Sequence, residues 1–134
     1  MLNNIIKEIK IRYKVNIKYK KYLENIAEYD DNTKTIIINS EYKNDIENLI
    51  PILFHELGHK HCFDNNIYYH YHNETNSRLA KLTALKAERY VDKWANKEMN
   101  KFNTGIEYPM FYFKKSRVEN FKKYWIDCVN GKEY

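Results

Sequence analysis

The sequence predicts an α+β fold: an N-terminal helix, a short antiparallel sheet, two long helices and a C-terminal helix that completes the core. Three observations carry this. Apolar residues recur at helical spacing near the start of the chain and over two later stretches. One β-branched run, Lys34-Thr35-Ile36-Ile37-Ile38-Asn39, follows a cluster of turn formers. No internal repeat or linker interrupts the 134 residues, which make one domain, 1–134, with room for a single core.

Residues 2–12 place Ile5, Ile6 and Ile9, with Leu2 beside them, on one side of a first helix. Val15-Asn16-Ile17 and Asn25-Ile26-Ala27-Glu28-Tyr29 follow, separated by a Lys/Tyr-rich stretch. Asp30-Asp31-Asn32-Thr33 reads as a turn, so a hairpin is expected between 25–29 and 34–39. Asn44-Asp45-Ile46-Glu47 pairs a capping residue with a following Glu, a helix opening. From there to Cys62 the chain is apolar on nearly all sides (Leu49, Ile50, Ile52, Leu53, Phe54, Leu57), as a buried helix requires. Pro51 either kinks that helix or sits in the first turn of its regular part. Residues 63–76, rich in Tyr and His, read as a loop before a long helix from Ser77 to Lys101. Thr104-Gly105 ends that helix and Pro109 breaks the next stretch. Lys115 to Val129 then carries Val118, Phe121, Trp125 and Cys128 on one face of a last helix.

Composition narrows the function classes. With 43% hydrophobic and 31% charged residues the chain is not of disordered type. No apolar run approaches the roughly 18 residues of a membrane span, and Met1 to Val15 lacks the hydrophobic block of a secretory signal. Two cysteines, Cys62 and Cys128, fit a reducing compartment, so a cytoplasmic protein is expected in which both pack as small hydrophobes. The net charge of +5 invites a nucleic-acid reading. The lysines are spread along the chain, however, and Asn, Ile, Lys and Tyr are abundant together, as A/T-rich codons favour. Nucleic acid is therefore not expected as the primary partner.

Chemistry concentrates in His55-Glu56-Leu57-Gly58-His59. Residues four apart on a helix differ by about 40° in direction, so both imidazoles project towards one point and can bind one Zn²⁺. Glu56, about 100° round from His55, is not a ligand but can take a proton from a water beside the metal. With this composition the HExxH pattern arises by chance about 0.02 times, and two imidazoles and a carboxylate in an apolar helix need compensation. A catalytic tetrahedral site takes a third protein ligand and leaves one position for water. On the second long helix Ala84, Leu85, Val91, Ala95, Met99 and Phe102 fall within about 60° of Glu88, and so does Asp92. Both carboxylates thus lie in the core-facing stripe. A metal for Glu88 and a histidine N–H for Asp92 account for them; Asp92 as the third ligand, or a salt bridge with Lys81, are the other solutions.

These elements resemble the gluzincin class of zinc metallopeptidases: His55-Glu56-Leu57-Gly58-His59 and, downstream, Glu88-Arg89-Tyr90-Val91-Asp92-Lys93-Trp94-Ala95. Within that class they look most like the ImmA/IrrE-type enzymes, small proteins often carried by phages and mobile elements. Val91 in place of a small residue and Trp94 in place of Phe are departures from that pattern, and the likeness covers about residues 34–100. It implies a minimal zincin-like fold with His55, His59 and Glu88 as ligands, Glu56 as general base and Asp92 as partner of a ligand histidine. The implied activity is hydrolysis of a peptide bond, most simply as an endopeptidase, with a regulatory protein such as a helix-turn-helix repressor as substrate. The likeness also implies that strand Thr35–Asn39 is an open edge on which extended substrate pairs. An oxyanion donor is sought among Tyr68, Tyr69, His70, Tyr71 and His72, with Tyr108 and Tyr112 as further candidates. A non-catalytic zinc-binding regulatory domain on the same scaffold is the alternative; it predicts a fourth protein ligand. Cys62, about 20° from His55 on the helix, is expected to pack instead.

Overall fold

The computed structural model describes residues 2–67, 78–102 and 104–109, with the backbone alone over 78–85. Helix α1 (Leu2–Tyr13) opens the chain and buries Ile9. Lys14 stops it in the left-handed region at φ 52°, and the Val15 N–H turns back onto the Lys10 carbonyl at 3.2 Å. Strands β1 (Asn16–Lys20), β2 (Ala27–Asp30) and β3 (Thr35–Asn39) follow, then a 3₁₀ turn at Ser40–Tyr42. Two helices complete the described chain: α2 (Ile46–Asp64) and α3 (Arg78–Met99). The helix expected over Lys115–Val129 and the Tyr/His-rich residues 68–76 lie outside the described residues.

The hairpin between β2 and β3 forms across the expected turn, where Asp30 Oδ1 accepts the Asn32 N–H at 3.0 Å. The sheet, however, is mixed rather than antiparallel: its order is β1-β3-β2, and β1 runs parallel to β3. The physical reason is burial. Ile36 and Ile38 are 0% exposed, so β3 takes the middle, while Asn16-Ile17-Lys18-Tyr19-Lys20 alternates with water and suits an edge. Strand Thr35–Asn39 therefore has both edges occupied, and the expectation that it offers an open one is overturned.

Among the described residues no strand pairs with the outer edge of β2, the strand that packs most closely on α2. The Asn39 N–H donates to the Ile26 carbonyl at 2.9 Å, which makes these two a hydrogen-bonded pair. Such pairs alternate along an antiparallel ladder, so Glu28 with Ile37 and Asp30 with Thr35 bond likewise. The backbone groups of Ala27 and Tyr29 consequently turn away from β3.

Helix α2 starts after Asp45, but no side-chain cap forms; Asp45 Oδ2 takes the Asn48 amide at 2.7 Å instead. Pro51 lies inside the helix rather than in its first turn, buried in the core, and leaves the Glu47 carbonyl without its helical N–H. Leu49, Ile50, Leu53 and Phe54 are fully buried against α1, the inner sheet face and α3. Among the described residues no helix is long and apolar enough to cross a membrane.

Gly58 sets the approach of α2 to α3. A Cβ at this position would stand 2.7 Å from Val91 Cγ1 and 3.2 Å from the Val91 carbonyl oxygen. Gly58→Ala should therefore lower the melting temperature: overpacking costs about 1–3 kcal/mol, against about 1 kcal/mol gained in helix propensity. Val91→Ala in the same chain should recover part of the loss. A Gly58→Ala protein as stable as wild type would show that the helices part without strain.

Candidate metal centre

The packing of α2 on α3 brings three side chains together. His55 and His59, one turn apart on α2, have ring centroids 5.0 Å apart with planes at 76°. Glu88 faces both from α3: its Oε2 lies 3.0 Å from His55 Nε2 and its Oε1 3.2 Å from His59 Nε2. One ligand atom from each of the three lies within 4.8 Å of the others. Three atoms at 2.0–2.1 Å from a common tetrahedral zinc stand about 3.4 Å apart, so a cation of that size fits with small adjustments. The donor set, two imidazoles and one carboxylate, is also one that zinc accepts.

Asp92 is not part of this set. It lies one turn beyond Glu88, is 1% exposed, and its Oδ1 sits 3.0 Å from Nδ1 of His55, the ring nitrogen opposite the cluster. Of the arrangements open from the sequence, the structure thus brings Glu88 to the imidazoles and Asp92 behind one of them. The Lys81 side chain lies outside the described residues. Tyr108, weighed as an oxyanion donor, is 3% exposed and also lies behind His55: its hydroxyl donates to Asp92 Oδ1 at 2.7 Å and stands 3.2 Å from His55 Nδ1. Tyr68, Tyr69, His70, Tyr71, His72 and Tyr112 are outside the described residues.

Glu56 is 8% exposed and opens on the same cleft as the three side chains. Burial raises its pKa, and His59 and His55 pull it back. The cleft, about 460 Å³, is walled by Ala27, Glu28 and Tyr29 of β2, by Asn25 before it and by Phe63 on α2. Sequence reasoning missed this wall, because only the strand order puts β2 beside α2; its one visible signal was the hairpin. Phe63 packs on Tyr29 with ring centroids 5.8 Å apart.

Cys62 packs as expected, 2% exposed, with its thiol pushed up to about 11 by burial and by Glu88. His61 turns to the far side of α2, where its ring stacks 4.9 Å from Trp94 and its Nε2 meets the Tyr90 hydroxyl at 3.2 Å. Two residues of the downstream motif, Tyr90 and Trp94, therefore serve helix packing, and Val91 meets Gly58.

Comparison of the chain with protein-family models, curated proteins and solved structures finds no match.

Burial works against a charge on His55, but the bonds to Asp92 and Glu88 outweigh it and raise its pKa to about 10. For Glu88 burial acts upwards, and the bonds from the two imidazoles overcome it, holding the carboxyl well below its usual range. A metal binds an imidazole only in its neutral form, so protons and zinc compete for Nε2 of His55. Because that pKa is raised, competition extends through neutral pH. Zinc affinity should fall by about tenfold per pH unit for one displaced proton as pH drops from about 9 to about 6. Chelator competition across that range checks this, and a flat profile would contradict it.

Proposed function

We propose that the chain is a zinc-dependent metallopeptidase of gluzincin type, similar in pattern to the ImmA/IrrE enzymes. The observation that carries the reading is the convergence of His55, His59 and Glu88 in one cleft with the buried carboxyl of Glu56, the cleft being walled by strand β2. Such a donor set with a neighbouring carboxyl is what hydrolysis by a metal-activated water requires. A sealed structural site would need a fourth protein ligand beside His55, His59 and Glu88, whereas a catalytic one leaves that position to water.

His55, His59 and Glu88 would hold the zinc. When bound, it supplies Lewis acidity towards the scissile carbonyl and towards a water molecule. Glu56 takes the proton of the attacking water and returns it to the amine as the C–N bond breaks. Burial in the cleft favours the neutral form of Glu56, the form it takes once it holds that proton. The outward backbone groups of Ala27 and Tyr29 offer an extended peptide a line of hydrogen bonds along the cleft. This moves the substrate edge from Thr35–Asn39 to β2. The resemblance to ImmA/IrrE enzymes suggests a regulatory protein, such as a helix-turn-helix repressor, as the substrate.

Glu56→Gln should retain zinc but lower peptide cleavage by at least about 10²-fold, measured by mass spectrometry on a degenerate peptide library. Unchanged cleavage would overturn the assigned base. Stoichiometric zinc without cleavage by the wild type would favour the non-catalytic zinc domain.

A further inference from the structure

Behind the metal-facing side of His55 lies a triangle of polar atoms: His55 Nδ1, Asp92 Oδ1 and Tyr108 Oη. Asp92 Oδ1 is 3.0 Å from the nitrogen, Tyr108 Oη is 2.7 Å from Asp92 Oδ1, and Oη is 3.2 Å from the nitrogen. The phenol has one hydrogen, and an ionised carboxylate is a stronger acceptor than an imidazole nitrogen, so the hydroxyl donates to Asp92. Both oxygens near Nδ1 then present lone pairs to it. Only a protonated Nδ1 is compatible with that arrangement, and in a neutral ring this leaves the free lone pair on Nε2, the atom facing Glu88.

Asp92 Oδ1 accepts the Nδ1 proton, and how well it does so depends on the rotation of the carboxylate about its Cβ–Cγ bond. A second donor on the same oxygen fixes where that oxygen stands. The hydroxyl arrives from a segment outside the two metal-bearing helices: residues 104–109, where Gly105 turns the chain at φ +70° and the Ile106 N–H bonds Thr104 Oγ1 at 3.1 Å.

We propose that Tyr108 is a positioning residue of the metal centre: through Asp92 Oδ1 its hydroxyl sets the tautomer and rotation of His55, and with them the strength of metal binding. The inference rests on the zinc reading above and adds to it a third segment of the chain.

The test uses the full chain and zinc alone. Tyr108→Phe removes only the hydroxyl, and loss of a partner that orients a ligand typically weakens metal binding by about 10–100-fold, read here by competition with a chromophoric chelator. Tyr13→Phe, which removes the hydroxyl bonded to Glu98 Oε2 at 2.8 Å, should lower stability without moving zinc affinity. In an Asp92→Ala background Tyr108→Phe should add no further loss, because the tyrosine acts through that carboxylate. A wild-type chain that takes up no zinc overturns the metal centre itself. Wild type that binds zinc while Tyr108→Phe binds it within about twofold as tightly overturns only the role of Tyr108. Should Tyr108→Phe fail to fold, the Tyr108 hydroxyl proton of the zinc-loaded wild type decides: a slowly exchanging, downfield resonance supports the bond to Asp92 through which the tyrosine acts, and a freely exchanging hydroxyl overturns it.

Discussion

The close packing of α2 on α3 is the constraint on which the site depends. Gly58 lies between the two histidines along α2, and its missing side chain lets the backbone come to rest against Val91. Three residues before Val91, Glu88 then stands within hydrogen-bond reach of both imidazoles. A wider helix spacing would leave each group separately buried, a costly arrangement for a carboxylate. The glycine and the charged cluster are thus two consequences of one interhelical distance. The stack of His61 on Trp94 on the far side of α2 holds the same two helices in rotation as well as in separation.

Around this axis the remaining elements divide the work. Strand β3 and helix α1 supply the apolar floor, with Ile9, Ile36 and Ile38 fully buried. Strand β2, hairpinned onto β3, forms the wall of the cleft and leaves one ladder of backbone groups facing outward. The segment after α3 reaches back to place a phenol behind His55. The polar groups of the centre are therefore satisfied from both sides: Nε2 by Glu88, Nδ1 by Asp92 and Tyr108. This pairing is what allows so many ionisable groups to stand beside an apolar core.

The local features were legible because their causes are local. Periodicity located α1, α2 and α3 to within a few residues, and the Asp-Asp-Asn turn located the hairpin. The four-residue spacing of His55 and His59 already put them on one helix face. The same wheel placed Glu88 and Asp92 in the buried stripe of the partner helix. It did not separate their roles, since both fall within the same arc.

That separation belongs to the tertiary structure, as does the order of the strands. A one-turn difference along α3 decides which carboxylate reaches the imidazoles and which reaches behind one of them, and this depends on how the two helices are set lengthwise. The parallel pairing of β1 with β3 joins residues far apart in the chain, through hydrogen bonds any sequence can make, so the expected antiparallel sheet with an open Thr35–Asn39 edge did not follow. Tyr108 was visible as a tyrosine, but its direction was not. Composition and spacing determine which groups can share a helix face; which of them meet across helices and strands is decided by packing distances that only the folded chain contains.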